Sequence, residues 1–139
     1  MIFSKVRGST SVMVPIQLDN STTGAGETGI TNATAGLSCF YYRDGATSAT
    51  AITLVAAGTK GTWTNGCFQE LDATNMAGTY QVGAPNAAFA SGADWVIFYT
   101  KGTGLKQAVT LVKLDGVDLE NSTTLGITNL GATSARPGN

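Results

Sequence analysis

The chain has 139 residues, a length that suits one domain, with eight Lys and Arg against nine Asp and Glu and no histidine. Charged residues are 12% of it, about half the usual ~25%, and the cations are scattered, so binding of nucleic acid by phosphate neutralisation is not expected. The missing histidine removes Ser-His-Asp and Cys-His catalysis and the commonest metal ligand, and no apolar run reaches the ~18 residues of a membrane span.

Along the chain almost every element reads as a strand. The opening "MIFSKVRGST" has no continuous apolar segment of the kind a secretion signal needs, and residues 1–9 are expected to form an arm. Ser9–Leu18 alternates imperfectly, and Pro15 restricts it to an edge or a bulge. Gly36–Arg43 is dense in aromatics and runs into Asp44-Gly45, a turn signal. Ala49–Val55, Cys67–Leu71, Gly78–Ala84, Ala93–Thr100 and Lys106–Leu114 complete the set. Seven or eight short strands with turns every 8–15 residues or so predict an all-β, antiparallel, immunoglobulin-like β-sandwich over residues 10–118. Near Pro85–Ser91 one or two helical turns compete with an irregular loop. Tyr80, two residues after Gly78, is read either as a tyrosine corner or as an ordinary strand tyrosine. The expected core is Phe40, Tyr42, Ile52, Leu54, Tyr80, Trp95, Ile97, Phe98, Val109 and Leu111. Residues 119–139 hold few large apolar side chains and read as an extended tail.

The residues that could carry chemistry favour packing instead. Cys39 and Cys67 could pair, but two cysteines make no framework, and buried thiols are the preferred reading. Sequons at Asn20, Asn32 and Asn121 are by-products of a composition rich in Asn, Ser and Thr. Glu70 with Asp72, and Asp115 with Asp118 and Glu120, are carboxylate sets open to glycoside hydrolysis or, for the second, calcium. Solvated turns account for both more simply. "GAGETG" lacks the Lys-Ser/Thr end of a phosphate loop. Trp95 lies in the most apolar strand and is placed in the core, whereas Trp63, in "GTWTNG", is the plausible exposed aromatic for a sugar-binding reading. No catalytic residue, cofactor or metal is expected.

Two features remain. "NSTTGAGETGITN" begins at Asn20, and "NSTTLGITN" begins at Asn121. Between them, "FYYRDGATSATAITLV", "GTWTNGCFQELDATNMAGTYQVGAPNAAFASGADWVIFYTKG" and "VTLVKL" together resemble the β-sandwich modules of tailed-bacteriophage structural proteins. The likeness is to modules of baseplate, tail-fibre and head-decoration proteins, in the style of the N-terminal domain of baseplate upper proteins, and covers roughly residues 10–115. It implies a non-enzymatic virion protein that decorates or stabilises the capsid, with a baseplate or tail-fibre anchor and a glycan-binding adhesin as alternatives. It implies other virion proteins and further copies of this chain as partners. On that reading the ends make the contacts: Ile2, Phe3, Leu125, Ile127 and Leu130 as apolar anchors, Lys5, Arg7 and Arg136 as charged ones. The second "NSTT" stretch is then an extension that lies on a neighbouring subunit.

Overall fold

The computed structural model describes residues 1–116 of the chain. Among them the strands are β1 (Ile2–Val6), β2 (Met13–Gln17), β3 (Ser38–Arg43), β4 (Thr50–Ile52), β5 (Val55–Ala56), β6 (Cys67–Glu70), β7 (Thr79–Gly83), β8 (Trp95–Lys101) and β9 (Ala108–Asp115). They form a five-stranded sheet, β1-β9-β8-β3-β4, facing a four-stranded sheet, β2-β7-β6-β5. Strands β3, β8 and β9 stand as the C, F and G strands of an immunoglobulin sandwich, and β2, β7 and β6 as B, E and D. The protein is an all-β, immunoglobulin-like sandwich. Its single described helical element is one 3-10 turn, Asn86–Phe89, entered through Pro85 as the sequence allowed.

The core lies where β2, β6 and β7 meet β3, β8 and β9. Val14, Ile16 and Leu18 project inward from β2 and its end, opposite Val96, Phe98, Val112 and Leu114. Phe68 stacks on Tyr80 at 5.2 Å between centroids, and Phe89 from the 3-10 turn tilts against Phe98 at 5.8 Å. Two threonines are buried among these side chains, and both have partners: Thr110 Oγ1 donates to the Pro15 carbonyl at 2.9 Å, and Thr100 Oγ1 to the Cys39 sulfur at 3.3 Å. Pro15 lies on β2, an edge strand, where its missing N–H leaves no gap in a ladder.

Five expectations need correction. Residues 1–9 are not a separate arm: Ile2–Val6 is the edge strand β1, parallel to β9 from Ile2 beside Leu111 to Val6 beside Asp115. The sandwich is not purely antiparallel, because β1 with β9 and β5 with β6 are parallel pairs. Ala49–Val55 is two strands: the chain leaves one sheet after Ile52 and joins the other at Val55, which together with β1 raises the described strands to nine. Tyr80 is on β7 rather than the F-like β8, and its phenol bonds backbone about fifty residues upstream, so it is no tyrosine corner. The fifth concerns the core. Ile52, Tyr80 and Phe98 are buried, and Leu54 packs at the margin, but Phe40, Tyr42, Trp95, Ile97, Val109 and Leu111 point away from it. On β8 and β9 the inward residues are Val96, Phe98, Thr100, Ala108, Thr110 and Val112. Over Trp95–Tyr99 and Ala108–Val112 both sides of these strands carry apolar residues, and side chains alternate with period two, so the large aromatics in the sequence indicated the wrong side. The tail boundary at residue 119 lies outside the described residues.

Candidate functional site: the outer face of the large sheet

Those displaced residues come together. Because side chains alternate along a strand, the register stacks the outward ones into rows across the five-stranded sheet. One row runs Ile2, Leu111, Ile97, Tyr42, and the next Val109, Tyr99, Phe40, Ala51. Trp95 and Lys113 sit beside each other at one end, and Lys101 with Ser38 at the other. Tyr42 and Trp95 stack, with centroids 6.1 Å apart and rings inclined by 24°. The Lys101 ammonium lies 5.9 Å from the Phe40 ring centroid.

The face is not flat. A shallow concavity of about 520 Å³ is lined by Ile2, Asp94, Trp95, Ile97, Leu111 and Lys113. A smaller one of about 280 Å³ adjoins it across Ile97, with Phe40, Tyr42, Ala49 and Tyr99 among its walls. Ile2 is 74% exposed and Val109 50%, whereas the residues between them are partly shielded by one another. Its charges are at the margins. Lys113 pairs loosely with Asp115 at 3.7 Å, and Asp94 is held by the Arg7 guanidinium, whose Nε donates to the Ala93 carbonyl at 3.0 Å. With five strands about 4.8 Å apart and about 3.3 Å per residue, the apolar area spans roughly 400 Å². That is the size at which an exposed patch on a monomer is often functional.

No family model, no curated protein and no solved structure matches the chain.

The proposed contact residues fall in different places. Ile2 belongs to the face. Phe3, one residue on, points the other way and packs against the core. Lys5 is exposed on β1, and Arg7 clamps the end of β1 to the start of β8 through Ala93 and Asp94. Leu125, Ile127, Leu130 and Arg136 lie outside the described residues. What sequence reasoning missed is the aromatic and aliphatic set on β3, β8 and β9. A signal was present: "WVIFY" is apolar at consecutive positions, the mark of a strand covered on both sides.

The other candidate groups among the described residues are occupied within the fold, whereas Asp118 and Glu120 lie outside the described residues. Trp63 is partly buried and donates its Nε1–H to the Ala84 carbonyl at 3.1 Å. Glu70 accepts the Gly29 N–H at 3.1 Å, while Asp72 accepts from the backbone of Thr74 and Asn75 and from the Asn75 amide. The two carboxylates thus serve separate turns and do not face each other across a cleft. The Asn75 side chain, followed by the backbone N–H groups, holds the Asp72 carboxyl below its usual pKa. Both cysteines are free and buried. Burial raises the Cys39 thiol pKa, against the weaker opposite effect of Thr100, which keeps it protonated and unreactive. Among the described residues no three His, Cys, Asp or Glu side chains cluster as metal ligands, and no helix is long and apolar enough to cross a membrane.

Proposed function

We propose that the protein is a non-enzymatic structural component of a bacteriophage virion, which decorates or stabilises the capsid by docking the outer face of its large sheet on a partner subunit. One observation carries the docking part: β8 from Trp95 to Tyr99 and β9 from Ala108 to Val112 carry apolar side chains on both sides, and among the described residues nothing covers their outer side. Strands of that composition normally have both faces covered. The resemblance of residues 10–115 to phage sandwich modules supplies the virion part, with a baseplate or tail-fibre position as its alternative. A second reading draws on Trp95, which stacks on Tyr42 at the surface as the aromatic platforms of sugar-binding sites do. It is the weaker one, because the walls around Trp95 offer few hydrogen-bonding groups for sugar hydroxyls.

The test is Val109→Asp, with Met76→Asp as a control that is 49% exposed away from this face. Binding to particles of the phage that carries the chain should fall at least tenfold for Val109→Asp and stay unchanged for Met76→Asp, with both melting temperatures near that of the parent. Equal binding by both variants overturns the docking face. Saturable binding of an oligosaccharide that is lost in Trp95→Ala favours the adhesin reading instead.

A further inference from the structure

We infer that β1 pairs, along the edge that no described strand occupies, with β1 of a second copy of this chain. The two strands run antiparallel about a two-fold axis at Ser4 and join two five-stranded sheets into one of ten. The contact rests on the backbone of β1. What it adds to docking rests on the reading of the outer face proposed above.

Sheet edges invite pairing with other chains, and most folds blunt them. Among the described residues four strands stand at an edge: β1 and β4 in the large sheet, β2 and β5 in the small one. β4 has three residues and β5 two, while β2 carries Pro15, which has no N–H to offer. β1 has five residues and contains neither Pro nor Gly.

Which backbone groups face the outer edge follows from the ladder with β9. The Leu111 N–H donates to the Met1 carbonyl and the Arg7 N–H to the Asp115 carbonyl, both at 2.8 Å. Backbone groups alternate in direction along a strand. Met1, Phe3, Lys5 and Arg7 therefore turn theirs toward β9, and Ile2, Ser4 and Val6 turn theirs outward. One of the outward groups is occupied: the Val6 carbonyl accepts the Ser9 N–H at 3.1 Å and the Ser9 hydroxyl at 2.7 Å. With Ser4 on the axis, the two Ser4 residues exchange N–H to carbonyl bonds, and each Val6 N–H meets the Ile2 carbonyl of the other copy. The carbonyl that Ser9 holds is not needed. The Ile2 N–H opposite it stays with solvent, at a residue 74% exposed.

Side chains agree with that register. On the outer side Ile2 meets Val6 of the second copy and Ser4 meets Ser4. On the other side Lys5 meets Phe3, an ammonium beside a ring. An axis one residue further on would set the two Lys5 side chains directly opposite each other, which is unfavourable. The remaining charges nearby are already matched within each copy, Lys113 with Asp115 at 3.7 Å and Arg7 with Asp94. Three strand spacings, about 14 Å, separate the two β9 strands, beyond the ~8 Å over which charges act at physiological salt.

Area gives the pairing a purpose. One outer face covers roughly 400 Å², half of the ~800 Å² that each partner contributes to a stable interface. Edge pairing sets two such faces side by side with Ile2 and Val6 at the seam, and the joint face reaches about 800 Å².

The experiment uses the full chain and needs no particle. Sedimentation should show monomer and dimer in equilibrium at ~0.1 mM chain, and a monomer at every concentration up to ~1 mM overturns the inference. Ser4→Pro removes an outward N–H and no bond to β9. It should weaken dimerisation at least tenfold with a melting temperature near the parent's, and dimerisation of unchanged strength overturns the inference. Amide exchange reads the same edge without a substitution. The Ser4 and Val6 N–H groups should exchange more slowly as chain concentration rises, while those of Phe3 and Lys5, bonded to β9, stay slow throughout. A Ser4 N–H that exchanges fast at every concentration counts against the pairing. So does full protection in the dilute monomer, which would put another segment of the same chain on the edge. Failure here separates from failure of Val109→Asp to weaken particle binding, which concerns the face alone.

Discussion

The phenol of Tyr80 shows how much one polar atom can organise. It is fully buried, stacks on Phe68, donates to the Glu27 carbonyl at 2.8 Å and accepts the Ile30 N–H at 3.1 Å. Tyr80→Phe should leave both backbone groups without their partner and lower stability by about 1–3 kcal/mol in urea unfolding. Burial, reinforced by Glu70 and Glu27, raises its pKa above the usual value of about 10, against the opposing bond from Ile30. The folded chain therefore holds this proton more tightly than the unfolded one. Its contribution is fully present below about pH 10 and is lost as pH rises through the higher folded value. The melting temperature should fall in that alkaline window, and Tyr80→Phe should flatten the fall. No pattern in the sequence marked Tyr80 as the clasp of the 27–30 loop, because its partners are backbone atoms about fifty residues away.

At the scale of elements, what was legible depended on range. Strands β2, β3, β6, β7, β8 and β9 follow from local alternation and turn residues, and Asp44-Gly45 makes the β3–β4 turn with Gly45 at φ 78°. Strand β1 escaped because the apolar residues of "IFSKV", Ile2, Phe3 and Val6, do not alternate, and because it finds its partner about a hundred residues later. The orientation of β8 and β9 escaped for a different reason. When both sides of a strand are apolar, period two cannot say which side is inward. Trp95, read from sequence as a core residue whose truncation costs about 3–5 kcal/mol, is a surface stacking partner of Tyr42. Trp95→Ala should therefore cost only about 1–2 kcal/mol in chemical denaturation. The loop holding the first repeated string is tighter than its composition suggests. A Cβ on Gly26 would lie 2.1 Å from the Ala77 carbonyl oxygen. Gly26→Ala should force those backbones apart and lose about 1–3 kcal/mol, measured the same way.

For the molecule as a whole, the two layers differ in their span along the chain. The four-stranded sheet uses strands from Met13 to Gly83. The five-stranded sheet needs almost everything described, since β3 pairs with β8 and the first strand with the last. Pairings of such long sequence separation slow folding, because loop closure precedes any contact that rewards it. During synthesis the smaller sheet can gather first, whereas β1 waits unpaired until residues 108–115 have emerged. The aromatic rows form only then, as β9 joins β8 and receives β1 on its other side. The stickiest surface of this protein is thus the last to be assembled, which shortens the time a nascent chain spends displaying it.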